Sequence, residues 1–176
     1  MRDKGGAPSR LDPLVFFFLF LLCGAGAAQK VAITFDDLPL NGELPAGVTR
    51  VEIARDTLAV LKKRHVPAAY GFGNARKLEG TPDAAEALKL WAAAKPVGNH
   101  TYSHMDLNPN PAEAFEREIE LNEPALELVA AKDANWHWLR YPYLREGDTV
   151  EKRRAVRAYL QAHQYRVAQV TLDWED

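Results

Sequence analysis

VAITFDDLPL, residues 31–40, joins two patterns that pull in different directions. Its first half is apolar and rich in β-branched side chains, which reads as a buried strand. Its second half sets two carboxylates side by side, Asp36 and Asp37, and closes on a proline-bearing turn. One reading is local: Asp37 caps a turn in DLPL, since Asp and Pro favour turns. The other is chemical: the strand carries two carboxylates to a sheet edge, where each does different work.

The rest of the chain decides what kind of sheet that strand enters. Strands are expected at 30–35 (KVAITF), 67–74 (PAAYGFGN), 96–101 (PVGNHT), 136–144 (WHWLRYPYL) and 165–173 (YRVAQVTLD). Between them lie helical patterns at 49–65, 81–95, 111–131 and 148–163. Ile53, Leu58 and Leu61 fall near one face of the first helix. Thr81 is placed to N-cap the second, with Pro82 at its first position. Pro124 is expected to kink or break the third.

Strict strand–helix alternation implies parallel strands with right-handed crossovers, hence an α/β sheet or a (β/α) barrel. In such folds chemistry gathers where strands end. The unusual polar residues sit there: Asp36 and Asp37, His100, Arg140 and Tyr143, and Asp173. Five strands are few for a closed barrel. The sequence stops just past an apolar strand, so a truncated piece of a longer domain is expected.

Of the 176 residues, 47% are hydrophobic and 26% charged, with a net charge of −2, which suits one globular domain and gives no electrostatic support for nucleic-acid binding. Residues 1–28 differ. Arg2, Lys4 and Arg10 precede the apolar run LVFFFLFLL (14–22), and small residues follow. This is the layout of a secretory signal peptide cleaved after Ala27 or Ala28, with residues 29–176 forming the mature domain. The run is short for a membrane span; a retained amphipathic anchor and a lipid on Cys23 are the alternatives. Export to the periplasm, cell envelope or medium is therefore expected. Cleavage removes Cys23, the only cysteine, and with it disulfide and thiolate chemistry.

His100 and His104 lie four apart in NHTYSH. Alone, an HxxxH pair is a weak signal and reads more readily as two polar loop histidines. Two imidazoles with one carboxylate, however, make a common three-ligand set for a divalent ion, with a position left for water. One of Asp36 and Asp37 would complete it and the other would remain free as a base. Arg140 is a planar donor suited to fixing a carboxylate. Pro142 stiffens the turn before Tyr143, where an N–H can be aimed at an oxyanion. Trp174 could offer a stacking wall to a sugar. His65, His137 and His163 read as structural or surface groups, and Trp91, Trp136 and Trp138 as packing.

TFDD, HTYSH and RYPY, in this order and at strand ends, resemble the polysaccharide deacetylase family with the NodB homology domain, carbohydrate esterase family 4. The resemblance runs from about Lys30 to the last residue. It implies a distorted (β/α) barrel of the NodB type and a metal-dependent hydrolase that removes N- or O-acetyl groups from peptidoglycan, chitin or xylan. It assigns Asp36 as catalytic base, Asp37, His100 and His104 as metal ligands, and Arg140 as the group orienting the base. The Tyr143 N–H becomes part of an oxyanion hole. The implied ion is Zn2+, with Co2+ or another divalent ion as alternatives. DWED would supply the fourth motif through Asp173 and Asp176, with Asp176 partnering the catalytic histidine; a second register uses Asp173 and Trp174. The fifth motif, a Leu-x-x-His bringing the general acid, has no counterpart. The rival readings are hydrolysis of another non-peptide C–N bond on the same scaffold, and a non-catalytic metal-holding fragment that binds carbohydrate.

Overall fold

The structure, a computed structural model, describes residues 31–67, 69–130 and 135–172. Residues 1–28, read above as a signal peptide, and Cys23 lie outside them, as do Asp173, Trp174 and Asp176, read above as the fourth motif. The elements below belong to one unit beginning at Ala32. Among the described residues no helix is long and apolar enough to cross a membrane.

Five strands alternate with four helices: β1 (Ile33–Leu38), α1 (Arg50–Lys63), β2 (Ala69–Gly73), α2 (Pro82–Ala94), β3 (Val97–Asn99), α3 (Ala112–Val129), β4 (Trp138–Leu139), α4 (Val150–Ala162) and β5 (Arg166–Val167). Short 3-10 turns follow β2 (Ala75–Leu78) and β4 (Pro142–Leu144). All neighbouring strands are parallel, and their order in the sheet is their order in the chain. This is the α/β architecture the alternation implied. Among the described strands the sheet is open, with β1 and β5 at its edges.

Local chemistry explains where two of the helices start. Thr49 caps α1 in a capping box: its hydroxyl accepts from the Glu52 N–H while the Glu52 carboxylate accepts from the Thr49 N–H. Thr149 accepts from the Lys152 N–H at the start of α4. Thr81 and Pro82 do open α2, but the Thr81 hydroxyl donates back to the Glu79 carbonyl and caps nothing.

Pro124 neither breaks nor ends α3. Phe115, Ile119, Asn122 and Leu126 form a buried stripe that runs straight past it. Pro124 and Glu120 both lie on the exposed side, so the carbonyl freed by the missing N–H can turn to water.

The two faces of the sheet have different cargo. Phe35 meets the Trp91 ring of α2 edge-on at 5.1 Å, on the helix-covered face. Thr34 and Asp36, one residue either side of Phe35, reach the opposite face, as strand alternation demands. There Tyr70 stacks on Phe72 at 5.3 Å, and the Arg140 guanidinium lies 4.8 Å above the Phe72 ring. Gly98 makes room for this layer: a Cβ there would come within 2.7 Å of Phe72 Cε1 and 2.8 Å of the Trp138 carbonyl oxygen. One of those neighbours is backbone and cannot swing aside. Gly98→Ala is therefore expected to lower stability by about 1–3 kcal/mol, the usual range for overpacking. Urea unfolding measures this, and an unchanged midpoint would contradict the packing described.

Candidate metal centre

The site begins with an irregularity in β1. Phe35 pairs with Gly71 and Leu38 with Gly73, so three steps along β1 match two along β2. Asp36 and Asp37 occupy this bulge, and Asp37 has φ of +63°. Simple alternation would send adjacent side chains to opposite faces. The extra residue and the left-handed backbone bring both carboxylates to the same rim instead. The pair therefore sits inside a strand that continues to Leu38, not beyond its end.

His100 directly follows β3 and is 2% exposed. Its Nδ1 lies 2.8 Å from the Arg140 carbonyl oxygen. A carbonyl can only accept, so Nδ1 carries the proton and Nε2 keeps its lone pair for a ligand. Burial pushes the imidazole down to about 4, so it is neutral at ordinary pH. His104 sits four residues on, in a loop and not a helix, with φ of +63°. Its ring packs edge-on against both His100 (centroids 4.8 Å apart) and Tyr143 (4.6 Å). His104 Nε2 lies 3.8 Å from Asp37 Oδ1.

Asp37, His100 and His104 each offer one ligand atom, and these atoms lie within 4.8 Å of one another. Two imidazoles and a carboxylate, with one imidazole pre-oriented by a backbone carbonyl, fit a divalent ion in both chemistry and spacing.

Asp36 stays out of this set. Arg140 Nη1 reaches its Oδ2 at 3.1 Å and its Oδ1 at 3.4 Å. The rest of the guanidinium is spoken for: Nε donates to the Ala168 carbonyl at 2.9 Å, and Nη2 to Thr34 Oγ1 at 3.3 Å. Burial raises the Asp36 carboxyl above its ordinary value; the Arg140 charge opposes that shift and the Asp37 charge adds to it. For Asp37 burial pulls the same way, but the Lys77 hydrogen bond and charge, with help from His104, hold it below the ordinary range. The bulge thus gives two neighbouring carboxyls opposite proton affinities.

Tyr143 follows Pro142 in the turn after β4, with φ of +56° and an exposed side chain. Its ring lies between His104 and the Arg145 guanidinium. Arg145 is ion-paired with Asp106, which ties this turn to the loop carrying His104. A cleft of about 160 Å³ opens beside Arg140, walled by Tyr141, Leu144, Glu146 and Val167.

Residues the sequence reading did not single out hold the loop in place. Asn74, Asn99 and Asn122 are all buried. Asn122 bridges the Gly73 carbonyl, the Asn99 side chain and the Ala75 N–H. Asn74 donates to the His100 and Thr101 carbonyls. Glu118 of α3 accepts from the N–H and hydroxyl of Ser103. Asn74 immediately follows β2 and Asn99 is the last residue of β3, and that place at a strand end was the available signal. Lys77 was also missed; it bonds Asp37 Oδ1 at 2.7 Å.

The model of the polysaccharide deacetylase family matches residues 24–168. The chain belongs to that family. No match is found among curated proteins. Solved structures share the fold: a chitin deacetylase from the fungal pathogen Colletotrichum lindemuthianum (22% identity, TM-score 0.56, 80% of this chain and 55% of that one). The Bc1960 peptidoglycan N-acetylglucosamine deacetylase is similar to the same degree (23%, 0.56, 78% and 55%). So is a family 4 carbohydrate esterase pseudoenzyme from Bacillus anthracis (18%, 0.56, 77% and 41%). The chain thus spans between about two fifths and just over half of the length of these structures.

Two outcomes follow from this geometry. Asn122→Ala leaves the Ala75 N–H without its acceptor and takes one of two donors from the Gly73 carbonyl and from the Asn99 amide oxygen, and an unpaired buried group costs about 1–3 kcal/mol. A large loss of stability is expected on thermal or urea unfolding; a near-silent variant would contradict the network. Second, the unfolded chain takes up a proton on His100 near pH 6.5, whereas the folded chain refuses it until about pH 4. In chelator-treated protein, stability should fall as pH drops through that window and His100→Asn should flatten the slope. A slope of opposite sign would contradict the burial of a neutral imidazole.

Proposed function

We propose that the chain carries the catalytic centre of a metal-dependent hydrolase that removes acetyl groups from a polysaccharide. The observation that carries this reading is the division of labour at the bulge. Asp36 is pinned by Arg140 outside the Asp37–His100–His104 donor set, with a raised proton affinity suited to a base.

Asp37, His100 and His104 would hold a divalent ion, Zn2+ or Co2+, which supplies Lewis acidity for water and for the acetyl carbonyl. Asp36 accepts the proton of the attacking water; the bond from the acetyl carbon to the sugar nitrogen or oxygen then breaks, a proton returns to that leaving atom, and acetate departs. Arg140 keeps the Asp36 carboxylate aimed and prevents it from turning into the donor set. The Tyr143 N–H donates to the oxyanion that develops on the acetyl oxygen. The Tyr143 ring and the cleft beside Arg140 border the path of an incoming sugar. Asp176 as the partner of a catalytic histidine and Trp174 as a stacking surface belong to the same proposal, as does export directed by residues 1–28.

The substrate class rests on the relatives. Similar folds occur in a chitin deacetylase, a peptidoglycan N-acetylglucosamine deacetylase and the Xyl-CE4 domain of a multidomain xylanase. Release of acetate from chitin oligomers, peptidoglycan and acetylated xylan tests the proposal and ranks the three. Asp36→Asn should cut turnover by about 10²–10⁴, the usual contribution of a general base, while leaving one bound cation per chain. Full activity in Asp36→Asn would refute the assignment. Cation binding with no acetate release from any of the three would favour the carbohydrate-binding reading.

A further inference from the structure

Lys77 sits in the 3-10 turn after β2 and donates to three oxygens. Its Nζ lies 2.7 Å from Asp37 Oδ1, 3.0 Å from the Asp37 carbonyl and 3.1 Å from the Leu40 carbonyl. An ammonium has three N–H donors, and here each has an acceptor. The turn itself is anchored. The Ala75 N–H donates to Asn122, the Arg76 N–H to the Tyr102 carbonyl in the loop of His104, and the Lys77 N–H to the Asn74 carbonyl. This lysine is therefore placed by the same network that places the histidines.

The oxygen it holds, Asp37 Oδ1, is the one that faces His104 Nε2 at 3.8 Å. We propose that Lys77 is a resident positive charge that shares the Asp37 carboxylate with the divalent ion and sets how tightly that ion is held. The proposal rests on reading Asp37, His100 and His104 as cation ligands. Part of the Asp37 charge is engaged by the ammonium, and an ammonium a few ångströms from a dication repels it. Affinity is thereby lowered. In exchange the ammonium clamps the Asp37 side chain, its left-handed backbone and the following turn, so that the ligand is already oriented. Lys77 is a positioning residue, and its charge is the part that a purely structural role would not need.

The test is titration of Co2+ and of Zn2+ into the full chain, first stripped with a chelator, in competition with a chelating dye. Lys77→Met and Lys77→Gln should bind at least about tenfold more tightly than the native protein, and Lys77→Arg should stay within about threefold. The thermal midpoint of stripped Lys77→Met should fall as the clamp on the β1 turn is lost. Equal or weaker binding in the neutral variants overturns the proposal, as does an equal gain in Lys77→Arg. Should Lys77→Met fail to fold, Lys77→Gln keeps a donor for the turn and gives the same comparison. A native protein that binds neither ion would overturn the cation reading itself, and the proposal with it.

Discussion

Arg140 holds the two halves of the site in one frame. Its carbonyl fixes the tautomer and tilt of His100, its guanidinium fixes Asp36, and its Nε reaches across to the chain after β5. The group is 3% exposed and lies over the Phe72 ring. Such a cation needs partners, because an unpaired buried charge costs several kcal/mol. Asp36, however, keeps about a third of its side chain in solvent, so screening reduces what this ion pair adds to stability. Its main yield is orientation. The aromatic layer of Tyr70, Phe72 and Trp138, and the glycine that makes space for it, can be understood as the floor on which that guanidinium rests.

The second constraint is the bulge at Asp36–Asp37. A regular strand would separate the two carboxylates by the full thickness of the sheet. One extra residue lets both work at one rim in different electrostatic settings, Asp36 beside a guanidinium and Asp37 beside an ammonium. Burial acts on both, and the neighbours decide which carboxyl gains and which loses proton affinity. The left-handed conformations at Asp37, Thr101, His104 and Tyr143 all fall at this rim. Non-glycine residues adopt that region at some cost, and the cluster fits a site whose backbone is bent to suit its side chains.

Much of this was legible in the sequence. Strand–helix alternation gave the parallel sheet, because each element carried its own period and the connections were short. Asp36, Asp37, His100, His104, Arg140 and Tyr143 were recognisable by residue type and by position at strand ends. What escaped was set by tertiary contact. Simple alternation would send the two carboxylates to opposite faces, and only pairing with β2 reveals the bulge. Pro124 looked like a helix breaker, but the buried stripe from Phe115 to Leu126 outweighs the one lost hydrogen bond. The Asn74–Asn99–Asn122 network and Lys77 carry little local signature, since asparagine at a strand end and lysine in a turn are ordinary. Apart from the Thr101 N–H on Asn99, their side-chain partners lie between 20 and 66 residues away.

The proposed chemistry requires Asp37, His100 and His104 to converge on a single cation. Anomalous diffraction from crystals grown with Zn2+, recorded on both sides of the zinc absorption edge, addresses it most directly. One zinc-specific peak per chain is expected, with an Asp37 oxygen and the two imidazole nitrogens about 2.0–2.2 Å away. Asp36 should remain on Arg140. Zinc bound elsewhere, or bound with Asp36 in place of Asp37, would contradict it.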